Sequence, residues 1–237
     1  MIHVITFTNN AMTISAEKLV KSASEKIGNC STKIYYPEDF GQEFYDNNKD
    51  VLNSERGGGY WLWKPYIILK TLQYIPANDI LIYCDAGLLF EQNISGLLKQ
   101  MNQDIYLFGN KYKHGNWCKR DCLELMNANT DHYIHHGQAQ ASVVILKKTK
   151  FAFNFIKEWL LFGQMPNLID DSPSILQNIP EFQEHRHDQA ILTNLAIKYK
   201  IKLHWWAVKY MLRHQHKYPK DNNQVIWLHH RKRNNEW

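Results

Sequence analysis

Apolar residues in this chain fall into two kinds of pattern. Short continuous runs, Ile80-Leu81-Ile82-Tyr83 and Ser142 to Leu146, read as strands buried on both faces. Ile2 to Phe7, Lys33 to Tyr36, Ile105 to Phe108 and Lys202 to Trp206 read as further strands. Helical spacing appears between them. Leu19, Ala23 and Ile27 recur every four residues, which predicts a helix over Ala16 to Ile27, capped by Ser15 and stopped by Gly28. Pro65 suits a first helical position ahead of Tyr66 to Leu72. Cys118 to Met126, Phe151 to Phe162 and Gln189 to Tyr199 complete the helices, the last with Ile191, Leu192, Leu195, Ala196 and Tyr199 on one side. Alternating strands and helices predict an α/β fold: a mostly parallel, Rossmann-like sheet flanked by helices. Such sheets bind ligands beyond the carboxyl ends of their strands. The places to look are just after Phe7, Tyr83, Phe108 and Leu146.

Composition narrows the class. A chain of 237 residues suits one large α/β domain or two small ones, and its 44% hydrophobic and 22% charged residues are those of an ordinary globular protein rather than a disordered one. No apolar run approaches the roughly 20 residues of a membrane span. Met1 leads straight into the first strand, too short and without the basic flank of a leader. Cys30, Cys84, Cys118 and Cys122 form no disulfide framework, and Cys118 and Cys122 lack the two further ligands zinc would need. These features predict a soluble, cytoplasmic protein. From Lys198 onward ten Lys and Arg face two acidic residues, a net +8 in a chain of net +5. The basic tail, about 207–237, suits a phosphate, a peripheral contact with an anionic membrane surface, or a nucleic acid.

Five stretches carry chemistry. Asp85-Ala86-Gly87 follows a buried strand, so its carboxylate sits at the ligand edge, where a divalent cation bridging phosphates wants hard oxygen ligands. Arg56-Gly57-Gly58-Gly59-Tyr60-Trp61-Leu62-Trp63-Lys64-Pro65 sets a glycine run between two cations, a candidate cradle for an anion. It lacks the spacing of a Walker loop. Asp188 stands at a predicted helix start beside His187, where the dipole favours a carboxylate and a general base is possible. His135 to Ser142 offers amide and small side chains at a strand edge, suited to hydroxyl-rich ligands. Trp227 to Arg233 combines imidazoles with phosphate-pairing cations. The plain alternatives are an Asp capping a loop, core tryptophans, a helix N-cap, a polar loop and a solvated tail.

Taken in order, Gly59-Tyr60-Trp61-Leu62-Trp63-Lys64-Pro65, Tyr83-Cys84-Asp85-Ala86-Gly87, Cys118-Lys119-Arg120-Asp121, Gly137 to Ser142 and His185-Arg186-His187-Asp188-Gln189 resemble a group of bacterial and viral GT-A glycosyltransferases. The resemblance runs from about Arg56 to Arg233. It implies a single GT-A-like domain, 1–237, that uses a nucleoside diphosphate sugar, a UDP sugar, as donor and a saccharide or glycoconjugate as acceptor. Thr6, Thr8 and Asn9 would hold the nucleotide base. Arg56, Tyr60, Lys64, Asp85, Ala86, Gly87 and Arg231 would complete the donor site. Gln138, Gln140, Ser142 and His187 would surround the transferred sugar and the acceptor. Asp188 and Gln189 are the implied catalytic residues: Asp188 as general base if configuration inverts, Asp188 or Gln189 as stabiliser of the oxocarbenium-like centre if it is retained. Mn²⁺ or Mg²⁺ would sit on Asp85 and His229, although Gly87 replaces the second Asp of the family's Asp-x-Asp motif. Two other classes compete. A nucleic-acid-binding protein would use the basic tail, but the charge is confined to one end and no binding module accompanies it. A sugar-nucleotide hydrolase or a nucleotidyltransferase would need more clustered carboxylates.

Overall fold

The computed structural model describes residues 1–205, 208–210 and 227–237. The chain opens with β1 (Ile2–Phe7), α1 (Thr13–Ile27), β2 (Cys30–Tyr35), α2 (Gln42–Leu52), a single turn α3 (Gly57–Tyr60) and α4 (Trp63–Tyr74). Next come β3 (Ile80–Cys84), β4 (Leu88–Phe90), α5 (Ser95–Gln100), β5 (Ile105–Lys113), α6 (Arg120–Leu125) and α7 (Asp131–Ile134). The remainder is β6 (Gly137–Lys147), α8 (Lys150–Gly163), α9 (Pro166–Ile169), α10 (His187–Lys198), β7 (Leu203–Trp205), β8 (Val208–Tyr210) and β9 (Trp227–His229).

Six strands form the main sheet in the order β2-β1-β3-β6-β5-β7. β1 pairs in parallel with β2 and β3, and β5 with β7, whereas β6 is antiparallel to both β3 and β5. The sheet is therefore mixed but mostly parallel, with β6 running against the rest. That reversal corrects one expectation. The end of β6 after Leu146 lies at the opposite edge from the ends of β1 and β3, and the start of β6, from Gly137 to Ser142, takes its place at the ligand edge.

Residues of alternate parity feed two cores. Ile5, Phe7, Leu81, Tyr83, Val144 and Leu146 pack with α4, α8 and α10 on one face. Val4, Ile82, Cys84, Val143 and Ile145 pack with Leu19 and Ala23 of α1 and with Trp227 on the other. The unbroken apolar runs of β3 and β6 thus serve both faces. A second sheet, β4-β9-β8, lies over this latter face, with Leu88 opposite His229. Trp227 is fully buried against Phe90 and Phe108, so the tail begins inside the core. Of the strand expected over Lys202 to Trp206, Leu203–Trp205 forms β7, and Trp206 lies outside the described residues. So does most of the stretch expected to form the basic tail before residue 227.

Smaller corrections follow from local bonding. Ser15 does not cap α1: the helix starts at Thr13, and the Ser15 hydroxyl donates to the Lys232 carbonyl. Pro65 is the third residue of α4, not the first. The helix expected from Cys118 begins at Arg120. Cys118 and Cys122 are buried free thiols, and the Asn194 side-chain amide donates to both sulfurs and to Met126 Sδ. No described helix is long and apolar enough to cross a membrane.

Candidate active site

The turn ahead of α4 decides where Lys64 points. Gly57 (φ 62°), Gly58 (φ 58°), Gly59 (φ 95°), Tyr60 (φ 49°) and Trp61 (φ 61°) are all left-handed. A Cβ on Gly59 would stand 2.7 Å from Leu52 Cα, so both the hand and the close approach demand glycine there. The Gly58 N–H donates to Glu55 O and the Gly59 N–H to Ser54 O at 2.8 Å. These two amides are spent inside the turn and are not open to an anion. The cation pair expected around it separates as well. Arg56 lies 3.3 Å from Asp171 and 3.5 Å from Glu184, in solvent, while Lys64 turns inward.

Lys64 sits between two carboxylates. Its Nζ is 2.8 Å from Asp188 Oδ2 and 3.4 Å from Asp85 Oδ1, and its side chain is only 3% exposed. The ammonium also lies 5.3 Å from the Tyr83 ring centre and 5.8 Å from that of Trp63. Tyr83 donates its hydroxyl to Asp85 Oδ1 at 2.6 Å. Asp188 occupies the first turn of α10, and Trp159 Nε1 donates to its carbonyl at 3.0 Å. Sequence reading picked out Asp85, Lys64 and Asp188 separately, and the fold brings them into one charged triplet. It missed Tyr83, whose signal was its place two residues before Asp85 on the same strand face.

Burial sets the electrostatics. Loss of solvent raises Asp188 to about 6, with Lys64 pulling it down and the Asp85 charge pushing it up. Burial acts to lower Lys64, but Asp188 and Asp85 outweigh it and hold the ammonium above the ordinary lysine value. Burial, then the Asp85 charge, drives Tyr83 well upward, so the phenol stays a donor.

A second group borders the triplet. Gln189 Nε2 donates to Gln138 Oε1 at 2.7 Å, and Gln189 Oε1 accepts from the Ala141 N–H at 3.5 Å. That chain fixes both amide orientations and leaves Gln138 Nε2 a buried donor without a partner. Thr6 Oγ1 is likewise buried without a partner. Buried polar atoms of this kind are rare unless a ligand or water completes them. The Asp85 N–H donates to Ser142 O at 2.8 Å, which sets Ser142 beside the carboxylate turn. Gln140 lies opposite Phe108 in the β5–β6 pairing. His187 is buried, with Nε2 3.0 Å from Asp171 Oδ1 and its ring stacked on Tyr60 at 5.2 Å. Left-handed backbone is uncommon for such residues, yet Tyr60, Trp61, His187 and Arg231 all adopt it around this site.

The tail closes the other side. The His230 N–H donates to Gly87 O at 2.9 Å. A Cβ at position 87 would lie 3.3 Å from Arg231 Cα and 3.6 Å from His229 Cδ2. The space that a second Asp would enter is thus held by the tail. Arg231 is exposed and donates from Nε to His229 Nε2 at 3.3 Å. Burial, with Arg231 beside it, lowers His229 to about 4, so its imidazole is neutral at pH 7. Among the described residues no three His, Cys, Asp or Glu side chains converge as a metal site. Asp85, in the turn after β3, and His229, at the end of β9 opposite Leu88, offer one carboxylate and one imidazole, a set that fits an ion shared with a diphosphate rather than one held by protein alone.

Thr8 and Asn9 lie just beyond β1. Thr8 Oγ1 donates to Asn9 O, and Asn9 Oδ1 accepts the Ala11 N–H. From β1 the chain crosses to β2 on one side and later to β3 on the other, so the switch point of the sheet falls between the ends of β1 and β3. The loop Thr8–Met12 and the turn Asp85–Gly87 form its two lips. A cleft of about 200 Å³ lies behind Asp171, lined by Lys119, Ser172, Ser174 and His185 among others. Lys119 Nζ is already bonded to Asp170 and Ser172, and His185 to Lys119 and Leu168, so that cleft is not where the charged chemistry gathers.

The sequence matches no protein-family model, and no curated protein resembles it in sequence. Its fold does match solved glycosyltransferases. The bifunctional glycosyltransferase WbbM, in its apo form, aligns over 97% of this chain with a TM-score of 0.57 at 10% identity, and this chain spans 45% of its length. Mouse xyloside xylosyltransferase 1, also apo, aligns over 100% of this chain and 99% of its own with a TM-score of 0.54 at 11% identity. The likeness is one of fold: this chain has the α/β architecture of GT-A glycosyltransferases.

Proposed function

We propose that this protein is a glycosyltransferase, acting as one domain over 1–237, that moves a sugar from a nucleoside diphosphate, a UDP sugar, to a hydroxyl of a saccharide or glycoconjugate. The observation that carries this reading is Lys64, buried between Asp85 and Asp188 beside the switch-point crevice. The nucleoside lies against Thr6, Thr8 and Asn9, and the diphosphate meets Lys64 and Arg231 at the opposite lip. The leaving diphosphate gathers negative charge as the sugar–oxygen bond breaks, and fixed cations stabilise that charge most where water is scarce. Mn²⁺ or Mg²⁺ held by Asp85 and His229 would add the same stabilisation. Gln138, with its open donor, and Gln189 face the transferred sugar, and Gln140, Ser142 and His187 stand around the acceptor side. Asp188 is the catalytic carboxylate: it takes the acceptor proton in an inverting reaction or steadies the oxocarbenium-like sugar in a retaining one.

The test is calorimetry of the protein with UDP and GDP sugars, each with and without manganese. Saturable binding of a UDP sugar is expected. If neither nucleotide sugar binds in either condition, the reading fails.

A further inference from the structure

Helix α1 begins without a cap of its own. Met12 holds the N-cap position, and no side chain there accepts from the first-turn amides. The missing acceptor arrives from the far end of the chain. Asn234 Oδ1 accepts the Ile14 N–H at 2.9 Å. The Asn234 backbone N–H donates to Ala11 O at 2.9 Å, and its Nδ2 donates to Asn10 O at 2.7 Å. One asparagine thus commits three polar groups to the segment between β1 and the first turn of α1. Ser15 Oγ reinforces the contact by donating to Lys232 O at 2.6 Å and accepting from Trp237 Nε1 at 2.8 Å. The ammonium groups of Lys18 and Lys232 lie over the Trp237 ring at 4.4 and 4.5 Å. At the other end of the same stretch, His230 is bonded to Gly87. The segment from His230 to Asn234 therefore ties the loop after β1 to the turn after β3, the two lips of the crevice.

We infer that Asn234 is a positioning residue for nucleotide recognition: capping α1 from across the molecule, it fixes the Thr8–Met12 lip against which the nucleoside of a nucleoside diphosphate lies. This rests on the glycosyl-transfer reading. Lys64 and Arg231 stand at the other lip and supply charge for the diphosphate, so the two halves of the ligand meet different elements. Losing the cap lets the loop sample other conformations, and the ligand must then order it on binding. The nucleoside half feels that cost and the diphosphate half does not.

The experiment uses the full chain and three probes: UDP, GDP and inorganic pyrophosphate, each measured by calorimetry. Hydrogen exchange over residues 9–15 is followed in parallel without ligand. Asn234→Ala is expected to weaken nucleotide binding about five- to tenfold, leave pyrophosphate binding unchanged, and speed exchange at Ala11 to Ser15. Asn234→Asp keeps the capping oxygen but loses the Nδ2 donor to Asn10 O, and is expected to restore part of the nucleotide affinity. Wild-type nucleotide affinity in Asn234→Ala overturns the inference. So does an equal loss for nucleotide and pyrophosphate, which marks a general disturbance. If the wild-type protein binds neither nucleotide, the glycosyl-transfer reading falls, and faster exchange in Asn234→Ala then leaves Asn234 a helix cap and no more.

Discussion

Lys64 and Asp188 hold one another in states that neither would keep alone. Asp188 titrates near 6 instead of 3.8, so the folded chain binds this proton more tightly than the unfolded chain does. The sign follows: between those values the site lowers stability as pH rises, a cost accepted for a carboxylate poised near neutrality. Activity runs the other way. Protonated Asp188 can neither take a proton nor steady a positive sugar, so kcat/KM is expected to fall below a pH of about 6. Asp188→Asn should remove that acid limb and lower turnover by about 10²–10⁴ while donor affinity stays close to normal. Lys64→Met should act oppositely on the limb. With the ammonium gone, burial and Asp85 push Asp188 up against only the Gln189 backbone N–H, and the limb moves to higher pH. The variant also leaves two carboxylates without their buried counter-charge, a loss of roughly 3–5 kcal/mol. A pH–rate profile with a urea titration checks both effects, and a limb that stays put in Lys64→Met would show that Lys64 does not control Asp188.

At the scale of elements, the turn before α4 is the part that most needs its sequence. Gly58 and Gly59 are both left-handed, but their surroundings differ. A Cβ on Gly58 finds its nearest neighbour at 3.8 Å, whereas one on Gly59 meets the Leu52 backbone at 2.7 Å. Gly58→Ala is expected to cost about 1 kcal/mol, the strain of the hand alone. Gly59→Ala should cost about 2 kcal/mol or more and displace Lys64, reducing activity as well. Equal stabilities in thermal melts would remove the Leu52 contact from the account. The glycine run was visible in the sequence, but its role was not, since composition cannot say whether an amide faces a ligand or its own chain. The same limit shaped the rest. β1, β3, β6, α8 and α10 were legible because each fills a core with a clear apolar pattern. The direction of β6 was not, because an unbroken apolar run reads the same in either direction. α2 escaped because only Asn48 and Val51 are buried along it, and β4 and β9 because three residues carry no period. The Asn234 cap joins residues 220 apart, beyond any local signal.

At the scale of the molecule, the crevice is assembled from distant parts: the loop after β1, the turn after β3, Lys64 from α4, Asp188 from α10, and a tail that begins in the core and ends on α1. On the glycosyl-transfer reading, Lys64 and Arg231 would meet a diphosphate as fixed cations, with Lys64 already shared between Asp85 and Asp188, and the question is how much of the charge they carry. Asp85 Oδ1 already receives Tyr83 and lies near Lys64, and Gly87 supplies no side chain. His229 is neutral at pH 7 and receives Arg231 on Nε2. Two such side chains leave most of the roughly six positions of a divalent cation to other oxygens. Manganese should therefore bind weakly to the protein alone and much more tightly with UDP present, which brings diphosphate oxygens to the same turn. With an imidazole in the set, manganese should bind better than magnesium. Calorimetry of Mn²⁺ with and without UDP measures this directly, and turnover in EDTA measures its consequence. Activity lost in EDTA and restored by manganese supports the shared ion. Full activity in EDTA, with no gain from added manganese, removes the ion from the mechanism and leaves the leaving-group charge to Lys64 and Arg231.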